Sequence, residues 1–273
     1  MAWSRSPLAA RAAGQDAGAA GLALMSWALW ILGHVDLAAA RMAGSLQRAD
    51  AVGHPHTQAY ACYYASILHA LRGEPAIAHR HAERCLTLSE EHGFRHWHGL
   101  SRAIRGICMS MLDPSASALE EVRGVLDQYR SAGYQLGITA LHALLCPILL
   151  LRHEPEAALE VIEQGLSAAN HNSERIFEAE LQRLKARALL VCGAPGSKTQ
   201  AQSLLDQALA TARSQHARSL ELRAAKDLAA LWIGQGRRDD ALAFLAPIHA
   251  WFTEGFDTHD LKEAKVLLDQ LQS

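Results

Sequence analysis

The chain carries no surplus of positive charge: 26 Lys and Arg stand against 28 Asp and Glu, a formal net charge of −2 at pH 7. Without a basic excess nothing drives it generally onto a phosphate backbone or an anionic membrane, so neither a nucleic acid nor a membrane is the expected partner. The five cysteines, Cys62, Cys85, Cys108, Cys146 and Cys192, are widely separated and never form a C-x-x-C pair. That spacing argues against a disulfide framework or a zinc site and suits a reducing compartment, the cytoplasm, with the thiols as small core residues. No stretch alternates apolar and polar residues as a half-buried strand does, and runs such as Ile148 to Leu151 sit inside longer helical patterns. The uncharged run from Ala17 to Gly33 follows Arg5 and Arg11 but lies at the short edge of a membrane span, and its residues fit a repeat instead. Residues 1–17 read as a poorly ordered leader, and 18–273 as the folded domain.

Half of the 273 residues are apolar, enough for a sizeable core. They are organised by a period of 40: Ala38, Ala78, Ala118 and Ala158 are successive steps, followed by Ala201 after 43 and Ala241 after another 40. A second series, Ser26, Ser66, Gly106, Cys146, Ala186 and Ala229, precedes the first by 12 residues, or by 15 in the fifth unit, and all six are small. Two antiparallel helices approach closely only where each presents a small side chain at the crossing. The 12-residue offset is the one between positions eight and twenty of a tetratricopeptide repeat, which these units resemble. The expected fold is therefore all-α: a right-handed superhelical solenoid of about six tetratricopeptide-like helix pairs plus a C-terminal capping helix.

Punctuation follows the same period. Pro75, Pro114 and Pro155 stand where second helices should begin, since the missing N–H is unneeded in a first turn. Gly53, Gly93 and Gly133 stand where second helices should end. Pro147 and Pro247 fall within expected helices, and each should kink its helix or mark an end. Asp257 or Thr258 can cap a last helix whose Leu261, Ala264, Leu267, Leu268 and Leu271 form one apolar face.

The closing segment Trp251-Phe-Thr-Glu-Gly-Phe-Asp-Thr-His-Asp-Leu-Lys-Glu-Ala264 resembles the C-terminal signature of bacterial signalling proteins that join a class III adenylate or guanylate cyclase, or another effector, to an ATPase module and a long helical repeat. Glu178 to Lys185, Ser219 to Ala225 and Ser26 to Gly33 are similar to the repeat region of the same family. The family's catalytic modules lie N-terminal of that region, so the resemblance implies a sensor or scaffold, and a chain that is either a shortened relative or a piece of a longer protein. The alternatives are a degenerate or partial cyclase or ATPase and a purely oligomerising scaffold.

Chemistry-bearing patterns are weak. Gly193-Ala-Pro-Gly-Ser-Lys-Thr199 has the Lys and Thr of a phosphate-binding loop, but Ser197 stands where a glycine belongs and a helix, not a strand, precedes it. His54/His56, His79/His81 and His96/His98 are two residues apart, and on a helix such pairs diverge, whereas a helical metal pair needs a spacing of three or four. His54 and His56 straddle Pro55 in an expected turn and are the least implausible pair. No G-x-S-x-G elbow is present, and Glu178, Glu180, Arg183 and Arg187 read as a charged helix face. The expectation is a chain that is not an enzyme and holds no cofactor or metal.

The expected binding surface is the groove lined by the first helix of each pair. Counting from the small-residue series selects Trp27, Trp30, Tyr60 and Tyr63 toward one end, and Glu180, Arg183, Arg187, Arg223 and Lys226 toward the other. An aromatic end and a mostly basic end would suit a protein or peptide with apolar and acidic portions, or a small-molecule effector.

Overall fold

The computed structural model describes residues 14–113, 118–131, 137–172 and 174–272. Among them every regular element is helical. The chain divides into two compact units, residues 1–30 with 34–134, and residues 135–273 with 31–33. The first unit holds α1 (Ala17–Ile31, whose last residue counts with the second unit), α2 (Val35–Val52), α3 (Pro55–Leu71), α4 (Pro75–His92), α5 (Arg95–Leu112) and α6 (Leu119–Ser131). The second holds α7 (Thr139–Leu151), α8 (Pro155–Asn172), a short 3₁₀ turn (Arg175–Phe177), α9 (Glu178–Cys192), α10 (Ser197–Ser214), α11 (Arg218–Ile233), α12 (Arg238–Ala250) and α13 (His259–Gln272). The helices form consecutive packed pairs, as the period requires.

The small-residue series lie at the crossings. Ser26, Ser66, Cys146, Ala186 and Ala229 on first helices are fully buried, as are Ala38, Ala78, Ala158, Ala201 and Ala241 on second helices. At Gly106 of α5 the approach is close: an added Cβ would lie 2.7 Å from Val122 Cγ2 and 3.2 Å from the Ala118 carbonyl oxygen. Position 106 thus faces position 118 across the pair, the register that the 12-residue offset implies.

Helix ends follow local chemistry. Pro75 and Pro155 open α4 and α8, while Pro114 and Gly133 lie outside the described residues. Pro55 opens α3, so His56 belongs to its first helical turn while His54 precedes it. Gly53 and Gly93 close α2 and α4 with φ of 65° and 70°, a left-handed conformation costly to residues with a Cβ. Pro147 and Pro247 end neither helix: α7 and α12 run through them, each lacking one internal hydrogen bond. Two equivalent turns repeat an Arg-x-Glu-Pro pattern, with Arg72 Nε donating to Glu74 at 3.0 Å and Arg152 Nε to Glu154 at 2.8 Å.

The order of the chain reaches further toward the N-terminus than residue 18. Asp16 is buried and caps α1, its Oδ1 accepting the Ala19 N–H at 2.7 Å. It also pairs with Arg48 of α2, and its own N–H donates to Thr57 Oγ1 at 2.9 Å, so it ties α1 to α2 and α3. Residues 1–13 of the expected leader lie outside the described residues. At the other end Leu261, Ala264, Leu268 and Leu271 of α13 are buried against α11 and α12 side chains, with Leu267 partly buried. Thr258 precedes α13 but donates its hydroxyl to the Gly255 carbonyl, ordering the turn before the helix.

Within each unit first helices also pack on the first helices of neighbouring pairs: α3 on α5, and α7, α9, α11 and α13 in succession. This produces an inner layer of first helices, with second helices behind it. Gly106→Leu should destabilise the protein by about 1–3 kcal/mol, because a side chain there collides with Val122 and with backbone. Gly124→Ala in α6, where a Cβ meets nothing within 4 Å, should instead be neutral or stabilise by about 0.5–1 kcal/mol. Denaturant midpoints of the two variants measure this, and equal midpoints would contradict the register.

Candidate functional site

The nine groove positions all lie on first helices, but the two units use them differently. In the first unit the aromatic positions are packed against one another. Trp27, Trp30, Tyr60 and Tyr63 are each at most 8% exposed. Trp27 lies 4.7 Å from Tyr64, Tyr64 stacks on Tyr60 at 4.5 Å, and Tyr60 meets Trp97 edge-on at 5.5 Å. Trp27 Nε1 donates to the Tyr64 carbonyl at 3.1 Å. The expected aromatic end is thus buried: these rings fill the layer between first helices, where their large apolar area is better buried than offered to solvent.

Histidines extend the aromatic stack. Trp97 Nε1 donates to His56 Nε2 at 2.9 Å, so His56 acts there as a neutral acceptor. Burial, and next the charge of His54, push the His56 imidazole below its ordinary value. His96 is also lowered, by burial first and then by His56. His81 stacks on His69 at 5.5 Å, and burial together with His69, Arg80 and Arg84 pushes it down to about 4. His79 points elsewhere, toward Glu83 at 3.6 Å, as a spacing of two on a helix dictates. Among the described residues no group of three or more His, Cys, Asp or Glu is placed to hold a metal ion.

The second unit carries a ladder of ion pairs across α9, α11 and α13. Arg183 grips Glu180 with two hydrogen bonds of 2.8 Å and reaches Asp227 on α11 at 2.5 Å. Arg223 on α11 reaches back to Glu180 at 3.0 Å and forward to Asp260 on α13 at 2.8 Å. Lys226 pairs with Glu263 of α13. Burial raises the Glu180 carboxyl, but the two guanidiniums outweigh it and hold the group well below the usual carboxylate range. Glu180 is thus ionised with its oxygens occupied, an unsuitable state for a general acid or base.

This ladder corrects the expectation of a mostly basic end. Arg183 and Arg223 are committed to Glu180, Asp227 and Asp260, and of the nine positions only Arg187 is exposed. The count from the small residues selected Glu180, which with Arg223 stands six residues before Ala186 and Ala229, but not Asp227, Asp260 or Glu263, the other acids of the ladder. The cysteines behave as core: Cys62, Cys85, Cys108 and Cys146 are buried, and burial pushes the Cys85 thiol up to about 11 and that of Cys108 to about 12.

Beside the ladder, at the end of the second unit's helices where α9 stops and α10 starts, is a cleft of about 400 Å³. Arg187 and Leu190 of α9, Lys198 of α10, and Asp227, Ala230 and Leu231 of α11 line it. The adjoining turn ends α9 at Gly193, whose φ is 65°, and the Ser197 N–H donates to the Ala194 carbonyl at 3.0 Å. That N–H is spent inside the turn, which is not the open cradle of a phosphate-binding loop.

No protein-family model matches the chain, and no curated protein matches it.

Two titrations follow from these shifts. Glu180 binds its proton more weakly folded than unfolded, so its contribution to stability is present above the unfolded carboxyl value near 4.5 and is lost as pH falls below it. Glu180→Gln leaves Arg183 and Arg223 without this partner and should cost about 3–5 kcal/mol near neutral pH, with the gap to wild type narrowing below pH 4.5 in urea titrations. His81, lowered from 6.5 to about 4, makes the first unit lose stability as pH falls through that window. His81→Gln should flatten the pH dependence of the urea midpoint between those values, and an unchanged slope would contradict the assignment.

Proposed function

We propose that this chain is a non-catalytic helical-repeat region that binds a protein or peptide partner, or a small effector, and regulates or scaffolds a signalling effector of the ATPase or class III cyclase type. The observation that carries the reading is the inner layer, in which successive first helices touch one another within each unit. A stack of this kind presents side chains from several repeats on one surface, and a ligand that contacts two repeats biases their packing.

The chemistry of the layer favours binding over turnover. Its buried carboxylates and guanidiniums pair with each other, leaving Glu180 no proton to exchange near neutral pH and Arg183 committed to Glu180 and Asp227. The likeness of Trp251 to Ala264 and of Ser219 to Ala225 to the repeat region of cyclase-linked signalling proteins supplies the class of effector. A cytoplasmic location belongs to the same reading, supported by four cysteines that stand buried and free of disulfides, as suits a reducing compartment.

The purified chain, incubated with Mg-ATP or Mg-GTP, should form no cyclic nucleotide, diphosphate or inorganic phosphate above the buffer blank. Added to purified class III cyclase and ATPase domains, it should bind saturably and change the turnover of at least one. Nucleotide turnover that scales with the amount of this chain would overturn the proposal.

A further inference from the structure

Most basic side chains of the second unit have carboxylate partners, including Arg183, Lys185, Arg213, Arg218 and Arg223. Arg187 and Lys198 are exceptions: neither has an ion-pair or hydrogen-bond partner among the described residues, both are exposed, and both line the cleft between α9, α10 and α11. Two cations that line one concavity without carboxylate partners of their own leave a positive potential there that favours an anion.

The rest of the lining says what the anion is attached to. Leu190, Ala230 and Leu231 form an apolar wall, and a volume of about 400 Å³ suits a small organic molecule better than a bare ion. Asp227 also lines the cleft, its Oδ2 accepting from Arg183 at 2.5 Å, and the two cations of the lining outnumber this one carboxylate. Lys198 is the second residue of α10, an 18-residue helix whose positive end adds to the local potential. We propose that this cleft binds a small amphiphilic oxyanion, with a carboxylate or phosphate head held by Arg187 and Lys198 and an apolar body resting on Leu190, Ala230 and Leu231. The guanidinium suits either head because its planar fork engages two oxygens at once, while the lysine contributes a point charge. The site shares Arg187 with the inner-layer positions and so rests on the proposed binding role, but calorimetry with small amphiphiles is a separate measurement from effector turnover, and the two fail independently.

Titration calorimetry of the whole chain with hexanoate and with hexyl phosphate tests the proposal, with inorganic phosphate and hexylamine as controls. At least one of the two amphiphiles should bind saturably, at least tenfold more tightly than inorganic phosphate, and hexylamine should not bind. The tighter of the two heads identifies carboxylate or phosphate as the natural group. The double variant Arg187→Gln, Lys198→Gln should lose at least tenfold in affinity and most of the salt dependence, with an unchanged melting temperature, because neither side chain holds the fold together. Ala230→Trp, which fills the wall from an exposed helical position, should block the body of the ligand while leaving both cations in place. Absence of saturable binding by both amphiphiles, or binding undiminished in both variants, would overturn the site.

Discussion

Two helices can lie side by side at close range only where neither puts bulk at the crossing, and in this chain that condition is met once per repeat. Gly106 against Ala118 shows how little space is left, for the volume of a single Cβ there already belongs to Val122 and to backbone. Elsewhere Ser, Cys and Ala serve the same purpose with no exposed surface. Because each pair buries its faces only when the next pair is stacked on it, this spacing also sets where first helices meet one another. The aromatic stack, the ion-pair ladder and the cleft all inherit their geometry from it.

The inner layer solves the same packing problem with two chemistries. In the first unit Trp27 reaches Tyr64 and Tyr60 reaches Trp97, and rings supply the buried area between repeats. In the second unit Arg223 meets Asp260 and Lys226 meets Glu263, contacts that both span 37 residues. A separation three short of the period places the partner almost one helical turn earlier on the next first helix. Buried charge is tolerated here because every guanidinium of the ladder has two carboxylates and Glu180 has two guanidiniums. At the cleft Arg187 and Lys198 are left without a carboxylate partner among the described residues, in contrast to the paired cations of the ladder.

The two units therefore differ in what perturbs them. In the first unit burial lowers the histidines His56, His81 and His96, whereas the second has His249 and a carboxylate, Glu180, that gives up its charge only in strong acid. In a repeat array each stacking interface contributes separately to stability, so such local titrations act interface by interface.

The sequence by itself determined the elements and their pairing. A period of 40 with two small-residue series is a backbone-scale signal: it states how closely helices approach, and close approach leaves few alternatives. Gly53, Gly93 and Pro75 marked helix ends for equally local reasons. The site was legible only in part, because the count from the small residues identified which positions face the inner layer but not what each meets there. Whether Trp30 is bare or buried, and whether Arg183 is free or held by Glu180 and Asp227, depends on side chains some 40 residues away on the neighbouring helix. Asp16, at the edge of an unremarkable leader, became an anchor only once folding brought Arg48 and Thr57 beside it. Solvent exposure and charge balance are sums over such neighbours, so the tertiary structure alone decided that the basic end is neutral and that Arg187 and Lys198 remain available beside an apolar wall.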